Sequence, residues 1–292
     1  MPSIEVAVPF RDNWYFDAVC AGIARRARAA EVDVHVLVEA AGARGRAIVA
    51  DRFDEVLRET DCIGAISVGF EFTAPQVARL VEHGRPVVVV GGPCAGLPSV
   101  FIADAAVAHA ATDQLIALGH SSIAHLAGYA LSADDFTMRS DRVRGYSEAM
   151  LEAGFDAYSH VVPCEFSHAA AYRAAVDMLS QPDRPTAVFA VADELAFAVL
   201  DAAGDLGLDV PRDLSVIGID DHPDAEARGL TTWRQDPEAV GAAAADRVLG
   251  RTDEDRQVVE TPLIVRTTTA PPGSRRPSTR KPGRLGRLLR GW

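Results

Sequence analysis

Short, mostly apolar runs alternate along the chain with longer segments whose apolar residues recur on a helical period. IEVAVPF (4–10), VDVHVLV (32–38), CIGAISV (62–68) and PVVVVGG (86–92) have strand length and are rich in β-branched residues. Such runs read as strands buried on both faces, as in a parallel sheet whose crossover helices cover each side. After the first run, Phe16, Val19, Cys20, Ile23 and Ala27 fall at i, i+3, i+4, i+7 and i+11, one face of a helix. The pattern predicts further helices over 45–59 and 74–83. Near Val100–Asp104 it restarts, with helices predicted over 105–118, 139–153, 167–180 and 194–206. Strands are predicted over 122–128, 158–163, 186–192 and 214–220. A strand near 230–234, a helix over 236–250 and a strand near 258–266 complete the series. The fold expected is therefore α/β, with two doubly wound parallel-sheet lobes. One comprises 1–102 with 236–257 and the other 104–233 with 259–270, joined by three crossovers.

Composition narrows the class. A chain of 292 residues suits two lobes of ordinary size. With 48% apolar and 24% charged residues it reads as a soluble globular protein. No apolar run reaches bilayer-spanning length, and residues 1–10 lack the basic, apolar and small-residue order of a secretion signal. Cys20, Cys62, Cys94 and Cys164 are scattered without a CxxC pair, which fits free thiols in a reducing cytoplasm. The net charge of −12 conceals an asymmetry. The tail 274–292 carries seven basic and no acidic residues, leaving 22 basic against 41 acidic before it. A body that acidic repels phosphate backbones, so only the tail offers nucleic acid an electrostatic footprint. The tail (271–292 with its Pro271-Pro272 lead) reads as a disordered basic segment. The alternative is a short surface-binding helix with Leu285, Leu288, Leu289 and Trp292 on one face.

Catalytic and cofactor motifs are missing: no nucleophile elbow, phosphate-loop lysine, HExxH or dinucleotide fingerprint occurs. Gly91-Gly92 follows a strand, but no lysine or further glycine spacing makes it a phosphate loop. His120 and His125 read as structural. Neither an enzyme, a cofactor nor a metal is expected. Ligands of open α/β sheets bind outside the carboxyl ends of the strands, so the residues there are the candidates. They are Asn13, Tyr15 and Phe16 after the first strand, then Arg142, Phe166, Asp193 and Asp220 in the second half. Aromatic faces can cover apolar ligand surfaces while aspartate and arginine fix the directions of hydroxyls or ring nitrogens. Asp193 equally suits a helix cap, and Tyr15 and Phe16 equally suit a core.

The order of several segments resembles the LacI family of transcription regulators over roughly residues 4–272. They are NWYF (13–16), ALGHSSIAHLAG (117–128), RVRGYSEAMLEAG (142–154), PDRPTAVFAVAD (182–193), LGLDVPRDLSVIGIDD (206–221), LTTWRQDP (230–237) and VRTTTAPP (265–272). The resemblance implies a periplasmic-binding-protein-like (type I) core with its effector in the cleft between lobes. Tyr15 and Phe16 would line that cleft, and Arg142, Phe166 and Asp220 would contact ligand from the other lobe. The family's usual Asn-Asp pair is Ala192-Asp193 here, and its usual Asp-Asn pair is Ala103-Asp104. Each loses its first polar member, leaving fewer hydroxyl partners than the family pattern provides. The family also carries a helix-turn-helix and a hinge helix before the first strand, whereas Met1 here lies three residues before it.

The function expected is the ligand-sensing core of a transcription regulator: cytoplasmic, homodimeric, and binding a sugar or nucleoside-like effector. Operator DNA is a partner only through a headpiece. A solute-binding protein or a free-standing cytoplasmic sensor is the alternative. Replacing Arg142 or Asp220 is expected to weaken ligand binding with little loss of stability. Any duplex binding by this 292-residue chain should be sequence-blind and carried by the tail. Competition between one operator and random duplex should show no preference, and deleting 274–292 should abolish the binding.

Overall fold

The computed structural model describes residues 1–10, 13–40, 43–128, 137–156 and 159–273. The first strands and helices are β1 (Ser3–Val8), α1 (Trp14–Arg28), β2 (Asp33–Val38), α2 (Ala43–Val56), β3 (Cys62–Val68), α3 (Ala74–Val81), β4 (Val87–Val90) and β5 (Ser99–Phe101). Then follow α4 (Asp104–Ala117), β6 (Ile123–Leu126), α5 (Thr137–Glu152), β7 (His160–Val162), α6 (His168–Leu179), β8 (Ala187–Ala190), α7 (Asp193–Asp205) and β9 (Ser215–Asp220). The chain ends in β10 (Thr231–Arg234), α8 (Pro237–Val248), β11 (Arg256–Val258) and β12 (Leu263–Ile264). They form two six-stranded sheets, ordered β11-β5-β4-β3-β1-β2 and β12-β10-β9-β8-β6-β7. All pairings are parallel except β10 with β12. The strand order reverses beside β1 in one sheet and beside β6 in the other. At such switch points adjacent connections leave to opposite faces and open a crevice.

Both faces of the first sheet are covered, which explains its uniformly apolar strands. Ile4, Val6 and Val8 pack against Val19 and Ile23 of α1 and Val240 and Ala244 of α8. Ala7 faces the opposite way, toward Phe53 of α2 and Leu80 of α3. β2 is the exception. It lies at the edge of the sheet, and Asp33 and His35 are exposed. In the second lobe α4 and α5 cover one face of the sheet and α6 and α7 the other.

Two local expectations change. The apolar segment 99–101 forms its own strand, β5, too short to stand out as a run. The strand expected over 258–266 is two strands in different sheets. Val259 N–H still donates to Phe101 O (2.8 Å) in the first sheet, and three residues later Pro262 O accepts from Arg234 N–H (2.8 Å) in the second. The chain thus passes between sheets there, as it does at Ile102–Ala103 and at Gln235–Asp236. The basic tail beyond residue 273 lies outside the described residues.

The return of α8 to the first lobe depends on glycine. A Cβ on Gly241 would sit 2.0 Å from Val19 O, and one on Gly22 would sit 2.0 Å from Glu238 O. The two helices therefore touch backbone to backbone. Gly145 lets α5 approach Ala105 of α4 in the same way, with a Cβ only 2.1 Å from its carbonyl oxygen. Helix propensity alone would make Gly241→Ala stabilising by up to about 1 kcal/mol. The steric conflict should reverse that sign, with a net destabilisation of about 1–3 kcal/mol in urea unfolding. A stabilised variant would contradict this packing.

Candidate functional site

At the carboxyl ends of both sheets a cavity of about 360 Å³ opens between the lobes. That volume suits a small ligand. Its first-lobe wall begins at the start of α1. Asn13 is extended, and its side-chain oxygen accepts from Tyr15 N–H (3.1 Å) and Phe16 N–H (3.4 Å), capping the helix. The cap fixes Trp14, Tyr15 and Phe16 around the first turn, where their rings meet edge to face with centroids 5.5–5.8 Å apart. Phe10, tilted against Phe16, extends the cluster to the cavity mouth. Two contacts span the lobes at this end. Asn13 Nδ2 donates to Glu194 Oε1 (3.4 Å), and the Trp14 ring meets His222 at 5.1 Å. His222 in turn rests on Phe197.

Arg142 forms the floor on the other side. It is 1% exposed, although a guanidinium stays charged wherever it is placed. Its Nε donates to Asp104 Oδ1 (2.7 Å) and its Nη1 to the backbone oxygen of Val191. Nη2 is buried without a protein partner. The helix carrying it is held one turn later, where Tyr146 OH donates to Ile123 O (2.7 Å) and accepts from His160 N–H (2.8 Å). Burial pushes the Asp104 carboxyl up to about 6 against the pull of Arg142. Burial, with Asp104 and Asp220 nearby, also pushes the Tyr15 phenol far above its usual range.

Three aspartates behind this floor take different roles. Asp220 lines the cavity and accepts from Gln235 Nε2 (2.6 Å). Burial pushes it up to about 8, helped by the neighbouring Asp193 and opposed by Arg142. Asp193 accepts from Thr232 Oγ1 (2.7 Å) and from His222 N–H (2.9 Å), and burial pushes it up to about 7. Gly218 makes room for it, since a Cβ there would lie 2.1 Å from Asp193 Oδ1. Asp221 accepts from Arg234 (2.7 Å) and Arg266 (2.6 Å). Burial raises its carboxyl, but those two partners hold it below the usual range. The turn they brace has positive φ at both Asp220 (137°) and Asp221 (58°).

Of the residues singled out from sequence, Asn13, Tyr15, Phe16, Arg142, Phe166 and Asp220 line one cavity. Asp193 does not line it. Its carboxylate is turned into the β9–β10 connection, where both oxygens are engaged. The cavity adds Phe10, Trp14, Asp104, Glu194 and Gln235, and the backbone of Gly69 and Gly91. Gln235 follows β10, Gly69 follows β3 and Gly91 follows β4, so applying the strand-exit rule to every strand would have found them. Gly91 is no phosphate cradle, because its N–H donates to Val100 O (3.1 Å). His120 bonds Thr186, Ser215 and Ala270 O, and His125 stacks between Tyr146 and Phe189. Among the described residues no cluster of ligating side chains could hold a metal ion, and no helix is long and apolar enough to cross a membrane.

Comparison with known proteins places this arrangement. Residues 112–271 match the Periplasmic binding protein-like domain family. The HTH-type transcriptional repressor PurR of Escherichia coli O139:H28 is 31% identical over 216 residues, 69% of this chain and 61% of that protein. The chain spans about half to three fifths of the length of the curated relatives it matches. A LacI family transcriptional regulator from Mycobacterium smegmatis superposes with a TM-score of 0.73 at 30% identity, covering 92% of this chain and 99% of that one. The transcriptional regulator CelR in complex with cellobiose superposes with a TM-score of 0.74 at 26% identity, covering 91% and 84%.

The raised aspartates make stability pH-dependent. The folded chain keeps protons on Asp220 and Asp193 to higher pH than an unfolded chain does, so it binds more protons in between. Their contribution to stability is complete below about pH 4 and is lost as pH rises through about 7 to 8. Asp220→Asn keeps the neutral form at every pH. Thermal unfolding of the unliganded protein from pH 5 to 9 should show the variant gaining on the original chain as pH rises. Parallel curves would contradict the burial assigned to Asp220.

Proposed function

Because this chain belongs to the LacI family of transcription regulators, whose periplasmic-binding-protein-like core it carries, we propose that it is a regulator's effector sensor. In this reading the inter-lobe cavity takes an uncharged sugar or nucleoside-like molecule, and no reaction is catalysed. Arg142 carries the argument. A buried guanidinium that lines the cavity, with Nε held by Asp104 and Nη1 by the backbone oxygen of Val191, is fixed in place to orient a ligand oxygen. Asp104 already balances its charge. Glu194 and Asp220 are the other charged side chains among the described lining residues, so an anionic ligand finds no unpaired cation there. The cellobiose complex of CelR supports a carbohydrate in this cleft.

Effector contacts reach both lobes, so the ligand stabilises the closed arrangement over any open one. Transmission to operator DNA belongs to the whole regulator. In this reading it passes through a homodimer, which sedimentation of the purified chain would check.

The structure changes one expectation about variants. Arg142 is buried and paired, so Arg142→Ala strands Asp104 and should cost stability as well as affinity. Arg142→Lys and Asp220→Asn are the gentler tests. A panel of pentoses, hexoses and nucleosides would first be screened for thermal stabilisation. The best ligand would then be titrated calorimetrically against the original chain and both variants. These variants alter rather than delete the bonding groups, so the loss should be that of about one hydrogen bond to a charged group, roughly 1.5–3 kcal/mol, and affinity should fall about tenfold to a hundredfold. Unchanged affinity in both variants would remove the site assignment.

A further inference from the structure

The two walls of the cavity differ in chemistry. Every carboxylate and guanidinium among the described lining residues lies after β5: Asp104, Arg142, Glu194 and Asp220, with Gln235 beside them. The first lobe contributes Phe10, Trp14, Phe16, Val68 and Val90, and its polar side chains are only Asn13 and Tyr15. Asn13 is committed to capping α1 and to Glu194.

The floor of this wall is bare backbone. β3 and β4 are neighbours that end in Gly69 and Gly91, both with positive φ (74° and 108°). A Cβ built on Gly91 meets nothing closer than Gly69 N at 3.7 Å. Both glycines line the cavity, so this stretch of its wall is backbone with no side chain standing over it. Its amides are already used: Gly69 N–H donates to Val90 O (2.8 Å) and Gly91 N–H to Val100 O (3.1 Å). This stretch thus offers no free amide donor for a phosphate or a polar base edge. Phe10 stands at the cavity mouth, 48% exposed, an aromatic face with water on one side.

Resting on the assignment of the cavity as the effector site, we propose that the effector is a glycoside with a flat apolar aglycone, not a free sugar. The sugar hydroxyls meet Arg142, Asp104, Asp220 and Gln235. The aglycone lies over Gly69 and Gly91 against Phe10 and Phe16. A free monosaccharide would fill only the polar half and leave the aromatic wall hydrated. A nucleobase would match that flatness but would bring polar edges to a wall with almost no free partners.

The test titrates the 292-residue chain calorimetrically with D-pentoses and D-hexoses, with their phenyl α- and β-glycosides, and with adenosine and uridine. Burying a phenyl ring should make at least one phenyl glycoside bind about tenfold to a hundredfold tighter than its parent sugar. Phe10→Ala should shrink that ratio at least threefold. Because Phe10 is half exposed, the substitution leaves the core intact. If parent sugars bind as tightly as their glycosides, the aglycone site is wrong while the sugar site stands. If a nucleoside binds more tightly than every aryl glycoside, the apolar character of the aglycone is wrong. If nothing in the panel binds, the carbohydrate reading of the cavity fails and this inference with it.

Discussion

The burial of one guanidinium organises the centre of this molecule. A charge taken from water is costly unless each of its bonds is replaced, and Arg142 draws its replacements from separate parts of the chain. Asp104 begins α4, immediately after the first passage between lobes. Val191 follows β8, and Arg142 itself stands in α5. The crossover, a strand end and a helix must therefore hold a common register. Gly145 and Tyr146, three and four residues after Arg142, supply it. One admits α4 at backbone distance, and the other ties the helix to β6 and to His160. The guanidinium so fixed lines the cavity where the lobes meet.

The acidic residues behind the floor show how similar side chains diverge with partners. Asp221 lies between two arginines and stays charged, which braces a turn of unfavourable backbone conformation. Asp193 accepts a hydroxyl and an amide but has no cation, so burial favours its proton. Asp220 is likewise raised by burial, although Arg142 opposes the shift, and alone of the three it lines the cavity. The turn that aims it is thus held by one neighbour and backed by the other. The polar wall of the site is rigid for reasons that lie outside the site.

The opposing wall is built differently. One asparagine caps α1 and thereby fans three aromatics, while two glycines keep the ends of β3 and β4 bare. Asn13 with Glu194, and Trp14 with His222, join the walls at the rim. In the proposed reading, a ligand spanning the gap would add to those contacts only with the lobes together.

Much of this was legible in the sequence. The period of the apolar residues determined which segments are strands and which are helices, because a doubly covered parallel sheet demands short runs apolar on both faces. The order of segments also placed six of the seven residues singled out for ligand around one cavity. Asp193 shows where sequence stops. A lone aspartate after a strand suits a ligand contact or a helix cap equally, and here the side chain neither caps α7 nor lines the cavity but bonds Thr232 and His222, far along the chain. A third crossover was expected at 258, but the single strand expected over 258–266 is two strands, and only the positions of Phe101 and Arg234 put the passage between Val259 and Pro262. Gly69, Gly91 and Gln235 carry no periodic signal. The strand-exit rule marks all three as candidates, but that they line the same cavity follows from strands brought side by side, which depends on residues distant in sequence.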